Sequence, residues 1–296
     1  MENRLKEGEE RVRSVPADGT RLPIALSATA LAHPIFEPVR PALAALLREP
    51  GWPDAERLNR LAAGLGAAPR TDRGIPVRFV APCPGEGTYY EQRVFDSGGV
   101  QTRPHNWHDL FNALAWIAFP RSKARINALH AAELPREGGR RGPLRDMLTL
   151  FDEGGAIVAC ADPALAELIR AFRWRELFWE RRAHARSRLR FAVLGHAVLE
   201  MALAPWPGIT CKALIVEVEP ALLDAPAAEL VGALDARAAQ WLGAHATTGT
   251  PRALAALPIF GYPGWMPESE RADFYDDTRY FRPLRRAQVE SAAGVG

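Results

Sequence analysis

The central third of the chain carries its clearest alternation of apolar and polar positions. Between Pro104 and Pro120, Trp107, Leu110, Phe111, Leu114, Ile117 and Ala118 recur at helical spacing, and Asn106 stands where a helix cap is needed. His108, Asp109 and Asn112 fall together on the opposite face. Pro120 opens a second helix, in which Ile126 and Leu129 point to the core and Lys123, Asn127 and His130 form a polar stripe at i, i+4 and i+7. A third helical period covers the Asp146 segment and stops at Gly154-Gly155. Ala156 to Ala161 then reads as a short buried strand. Asp162-Pro163 starts a helical stretch rich in Leu, Phe and Trp that runs to about Arg188. Phe191 to Ala204 is apolar on nearly every side, which predicts a central helix. Thr210 to Val218 is partly alternating and β-branched and predicts a strand, and Pro220 to Ala244 returns to helix.

The flanks are more broken. Prolines 34, 38 and 41 precede a short helix over Pro41 to Leu47, and Pro53 opens another through Leu58 and Leu61. Ile75 to Ala81 reads as a strand ended by Cys83-Pro84-Gly85-Glu86-Gly87, and Tyr89 to Phe95 fits either a second short strand or a helical turn. Leu134 to Gly142 is a basic, glycine-rich loop, and Leu257 to Pro283 is loop-like, aromatic and proline-rich. Helices outnumber scattered strands, without a repeat or a clean βαβ alternation. The expected class is α+β, a mainly helical single domain with a few short strands over residues 22–285, order beginning near Leu22. Residues 1–21 read as a flexible leader and 286–296 as a flexible tail. Trp107, Phe111, Leu114, Phe151, Leu194 and Val198 are expected to be buried together.

Composition narrows the function classes. A 48% hydrophobic content supports a large core, and 37 basic against 35 acidic residues leave a net charge of only +2, so bulk charge selects no partner. Arginines greatly outnumber Lys6, Lys123 and Lys212, an excess that a GC-rich coding genome explains more simply than phosphate recognition. Cys83, Cys160 and Cys211 are odd in number and form no CxxC pair, as in a reducing cytoplasm. No run of about 18 apolar residues exists, which predicts a soluble chain without a membrane span.

Candidate chemistry concentrates on the polar faces of the apolar helices. His196 and Glu200 lie at i, i+4, and with His108 and Asp109 they supply the donor types that hold a divalent metal and acidify a bound water for hydrolysis. The plainer reading makes His196 a satisfied core histidine with Glu200 as its partner. Arg103, Lys123 and Arg145, with Arg121, Arg140 and Arg141 nearby, suggest an alternative, a non-enzymatic pocket for a small anion or a phosphorylated partner. No phosphate-binding GxxxxGK[ST] loop occurs. Asp152-Glu153 places two carboxylates at a helix C-terminus, against the dipole, and calls for a cation such as Arg145 or Arg103. The His108-Asp109 doublet matches the helical phosphohydrolases in two residues only, because the upstream histidine, His33, is distant and proline-flanked. No GxSxG elbow occurs, and the aromatics around Trp174, interleaved with Arg173, Arg175, Arg181 and Arg182, fit a core with a solvated face better than a nucleic-acid surface. If a site exists, His108, Asp109, Asn112, Asp152 and His196 line one cavity, with Arg103 or Arg145 at its mouth.

Five segments recur in order: the Arg103 to Trp116 helix, Asp146-Met147-Leu148-Thr149-Leu150-Phe151-Asp152-Glu153-Gly154-Gly155, Gly195-His196-Ala197-Val198-Leu199-Glu200, Leu257 to Trp265, and Phe274-Tyr275-Asp276-Asp277 before Phe281-Arg282-Pro283. Together, from about Gly74 to Pro283, they resemble the bacterial family called domain of unknown function 3025. The resemblance implies little about chemistry. The reading taken forward is a cytoplasmic, metal-assisted hydrolase with a polar cleft between helices.

Overall fold

The computed structural model describes residues 32–83, 89–136 and 141–284. The expected leader 1–21, the start at Leu22, Pro84 to Gly87, Arg140 and the tail 286–296 lie outside the described residues. The helices are α1 (Arg40–Leu46), α2 (Ala55–Gly64), α3 (Tyr90–Ser97), α4 (Trp107–Ala118), α5 (Pro120–Glu133), α6 (Pro143–Gly154), α7 (Pro163–Arg170), α8 (Arg182–Arg188), α9 (His196–Met201), α10 (Pro220–Leu223) and α11 (Ala227–Ala244). Among them run β1 (Arg78–Val80), β2 (Gly99–Gln101), β3 (Gly155–Cys160), β4 (Leu189–Val193), β5 (Cys211–Glu217) and β6 (Ala255–Leu257). The architecture is α+β and mainly helical, and no helix among the described residues is long and apolar enough to cross a membrane.

One four-stranded sheet, in the order β4-β3-β5-β6, organises the packing. β3 pairs antiparallel with β4 and parallel with β5, and β6 closes the edge antiparallel to β5. Every residue of β3 is buried, so alternate side chains feed two different layers. Ala156, Val158 and Cys160 join Leu189, Phe191 and Val193 in a layer with α4, α9 and the C-terminal aromatics, while Ile157 and Ala159 face α6 and α11 on the other side. The six expected core residues are all buried, but the sheet divides them. Trp107, Phe111, Leu114 and Val198 lie in the first layer, and Phe151 and Leu194 in the second.

The expected helix from Phe191 to Ala204 is corrected to a strand, a turn and a short helix. Ala192 and Val193 register against Ile157 and Ala156 of β3, and only His196–Met201 is helical. A run apolar on all sides fits a doubly covered strand as well as a buried helix, so periodicity alone does not separate them. The stretch after Asp162 is also interrupted. Asp162 caps α7 as expected, but Phe172 takes φ 56°, a single π turn follows at Glu176–Glu180, and α8 completes the segment. Tyr89 to Phe95 resolves to helix α3, and β2 and β6, three residues each, were too short to show a period.

Caps fix the central helices. The Asn106 Oδ1 accepts the Asp109 N–H at 2.9 Å at the start of α4. At α5, Phe119 offers no side-chain cap, and Asp235 of α11 supplies one from elsewhere in the chain: its carboxylate accepts the N–H groups of Arg121 at 3.0 Å and Ser122 at 2.8 Å. Asp235 is buried. Asp235→Ala is therefore expected to cost about 2 kcal/mol in chemical denaturation, the upper range for a lost cap, with Asp235→Asn costing less.

Candidate functional site

Two glycines bring the end of α6 against the start of α9. The Gly195 N–H donates to the Gly155 carbonyl at 2.8 Å, and a Cβ on Gly195 would stand 2.5 Å from the Gly155 nitrogen and 2.7 Å from the Glu153 carbonyl oxygen. At Gly155 itself a Cβ would meet the Phe151 carbonyl oxygen at 2.2 Å. Only glycine permits this backbone approach. It sets Asp152, in the last turn of α6, beside His196, the first residue of α9.

A cleft of about 380 Å³ opens there, lined by His108, Asp109 and Asn112 from α4, Asp152, Glu153 and Thr149 from α6, His196 from α9, Tyr90 and Glu91 from α3, and His130, Gln101, Arg103 and Pro82. All five residues expected to converge line this one cavity, with Arg103 also on its wall and its side chain more than half exposed. Tyr90, Glu91, His130 and Thr149 were not singled out from the sequence as site residues, and Glu153 was named only as the neighbour of Asp152 at the helix C-terminus.

The side chains form a continuous polar chain. His108 Nε2 and His196 Nε2 are 3.0 Å apart. Glu200 Oε2 lies 3.3 Å from His108 Nδ1, on the far side of that ring, and Asp152 Oδ2 lies 3.8 Å from His196 Nδ1. The other Asp152 oxygen accepts from Lys123 Nζ at 2.5 Å, and the same ammonium donates to Asn112 Oδ1 at 2.8 Å. Asn112 Nδ2 donates in turn to the Tyr90 hydroxyl at 3.0 Å. The stripe of Lys123, Asn127 and His130 thus faces inward, and all three are buried.

Environment assigns the charges. Glu200 raises the pKa of His108, which stabilises an imidazolium with one N–H on Glu200 and the other on His196. Desolvation pushes His196 down to about 3, so it is the neutral acceptor, and the same cause takes His130 down to about 4. His130 receives the Arg145 Nε–H on Nδ1 at 3.2 Å. Burial opposes ionisation of Asp152 and Asp109, but Lys123 holds the first, and Arg103 the second, below the usual carboxylate range. Glu91 goes the other way: desolvation, and then the Asp152 charge, push it up to about 7 despite the Asn127 amide 2.7 Å from its Oε2.

Two expected ligand sets require correction. The four metal ligands proposed from the sequence do not meet at one point, because the Asp109 carboxylate is held by Arg103 Nε and Nη2 at 2.8 Å each, and Glu200 sits behind His108. Among the described residues no three His, Cys, Asp or Glu side chains are placed to hold an ion. The anion-binding set is equally dispersed: Arg103 is on Asp109, Lys123 on Asp152 and Arg145 on His130. The cation facing Asp152 is Lys123, where Arg145 or Arg103 was expected. His33 lies elsewhere, capping a turn at Ile35 and contacting the Trp265 carbonyl at 2.8 Å. Trp174 and Phe178 are core, and Arg173, Arg175, Arg181 and Arg182 pair with Glu176, Asp276 and Glu270.

The chain belongs to the family described as protein of unknown function (DUF3025), whose profile matches residues 77–285. No curated protein and no solved structure matches it.

Two outcomes follow from this geometry. Gly195→Ala forces backbone apart where Asp152 meets His196, and an overpacking cost of about 1–3 kcal/mol is expected in denaturant titration. Glu91 keeps a proton in the fold that the unfolded chain releases above its ordinary value near 4.5, so it erodes stability as pH rises from there to about 7. Glu91→Gln retains the Asn127 hydrogen bond and should raise the melting temperature at about pH 8, with little change near pH 4.

Proposed function

We propose that the cleft is the active site of a hydrolytic enzyme that works by acid–base catalysis at His108. The observation that supports it best is the 3.0 Å contact between His108 Nε2 and His196 Nε2, each ring backed by a carboxylate. Two imidazole nitrogens approach this closely when one donates and the other accepts. Glu200 and burial divide those roles, with the proton on His108 and none on the facing His196 nitrogen. His108 is also the more exposed of the two rings and so the one that meets a substrate.

His108 passes its Nε2 proton, released from His196, to the leaving group as that bond breaks, and the ring, now neutral, takes a proton from the attacking water, whose oxygen forms the new bond. His196 is a positioning residue that holds the His108 ring, and Asp152, fixed by Lys123, holds His196. Hydrolysis is the reaction class that a solvent-open cleft of this kind runs without a further reactant, since water is the co-substrate. Unpaired Cys83, Cys160 and Cys211 suit a cytoplasmic setting.

The test is turnover against a panel of ester, amide and phosphoester substrates, with divalent-metal analysis of the purified chain. On a substrate that is turned over, His108→Gln is expected to lower kcat about 100-fold or more, and His196→Gln about tenfold, with the fold retained. Turnover that survives His108→Gln would refute this reading. A stoichiometric divalent ion lost in the same variant would replace the shared proton with metal-assisted hydrolysis.

A further inference from the structure

One hydrogen-bond chain in the cleft has a direction fixed by the chemistry of its members. The Lys123 ammonium carries donors alone, so Asn112 turns its Oδ1 toward it, at 2.8 Å. The other end of that amide, Nδ2, is then the group 3.0 Å from the Tyr90 hydroxyl, and an amide NH₂ only donates. The Tyr90 oxygen is therefore the acceptor in this contact. The buried Trp116 indole, which also acts on that oxygen, is again a donor alone. Neither neighbour takes the Tyr90 proton, and no other acceptor among the described residues stands within hydrogen-bond reach of it. Tyr90 lines the cleft with His108 and Asn112, so its O–H is left for a ligand. A polar hydrogen left over in a cavity wall marks where a ligand brings an acceptor.

We propose that Tyr90 is a catalytic residue that donates its O–H to the carbonyl oxygen of an uncharged acyl substrate, an ester or an amide, and holds the negative charge that develops there. The proposal rests on the hydrolytic reading above for the reaction, and it names the substrate class of that site. Burial, and then Glu91 and Asp152, push the Tyr90 phenol up from its ordinary value near 10, so it keeps its proton and serves as a donor rather than a nucleophile. Accepting the Asn112 N–H, itself polarised by the Lys123 charge, strengthens that donation. Asn112 and His108 are one turn apart on the same face of α4, about 6 Å along its axis. The donor and the acid thus flank one acyl group, Tyr90 toward its carbonyl oxygen and His108 toward its leaving atom.

As the water oxygen bonds to the acyl carbon, the carbonyl electron pair moves onto its oxygen, where the Tyr90 O–H meets it without giving up the proton. The pair returns to re-form the carbonyl as the leaving-group bond breaks and His108 protonates the leaving atom. A phosphate monoester, or any ligand that arrives with a negative charge, fits this wall poorly. Arg103, Lys123 and the His108 imidazolium already face Asp109, Asp152 and Glu200, and a bound anion would break one of those pairs beside a carboxylate.

Benzamide carrying carbon-13 at its carbonyl, titrated into the full chain and followed by NMR, tests the donor without turnover, with inorganic phosphate as the charged control. Saturable binding is expected, with the carbonyl resonance moved downfield; Tyr90→Phe should remove that shift and weaken binding roughly tenfold. On an ester or amide that is turned over, Tyr90→Phe is expected to lower kcat about 100-fold and change KM less than about twofold. Replacing tyrosine with 3-fluorotyrosine, a sharper donor of nearly the same size, should move the resonance further, and it serves equally where Tyr90→Phe fails to fold. No saturable binding of benzamide, a carbonyl shift that survives Tyr90→Phe, tighter binding of phosphate, or turnover indifferent to Tyr90→Phe would overturn the proposal. Tyr90-dependent binding of benzamide, with no ester or amide turned over or with turnover that survives His108→Gln, would refute the hydrolytic reading alone.

Discussion

The buried ion pair between Lys123 and Asp152 is the constraint on which the rest of the site depends. Removing an ammonium and a carboxylate from water is costly, and the cost is offset only when each finds nearly all its hydrogen bonds in the fold. Here Lys123 gives one N–H to Asp152, another to Asn112, and lies over the Trp116 ring at 5.6 Å from its centroid. Three helices are thereby committed to one geometry: α4 through Asn112, α5 through Lys123 and α6 through Asp152. The Gly155 to Gly195 contact then brings in α9 at the only separation that the backbone allows.

The proton inventory of the cleft follows from this pair. Because Lys123 compensates one oxygen of Asp152, the second is left toward His196, and a buried imidazole beside a half-compensated carboxylate stays neutral when desolvation outweighs attraction. The neutral ring needs a donor across its Nε2, and His108 provides one, kept protonated by Glu200. Groups of the same chemical type are driven apart by where they sit: His108 up and His196 down, Asp152 down and Glu91 up. Such divergence is how one cavity holds a proton donor and a proton acceptor at the same pH.

Much of the fold was legible in the sequence because its signals are local. Asn106 and Asp162 cap where their side chains suggested, Pro120 starts a helix, and Gly154-Gly155 ends one, each by chemistry confined to a few residues. The misread segments depend on distant partners. Phe191 to Val193 is a strand because β3 pairs with it, a fact absent from its own apolar run. The site was legible as a set of residues, since polar groups on apolar helices need a shared place to go, and His108, Asp109, Asn112, Asp152 and His196 do share one. Their roles were not. Whether Lys123 faces a ligand or Asp152, and whether Glu200 lies in front of His108 or behind it, depends on side-chain directions set by the meeting of helices far apart in sequence. Glu91 carried no signal at all, because its segment fitted a strand as readily as a helix.

The account stands on one imidazolium facing one neutral imidazole. Nitrogen-15 NMR of histidine-labelled protein, titrated from neutral pH to about pH 4, reads both rings separately. The account predicts that His108 titrates above its ordinary value near 6.5 and that His196 remains a neutral tautomer with its proton on Nδ1 throughout the range. A His196 that takes up a proton near its ordinary value, or a His108 that is already neutral below 6, would contradict it.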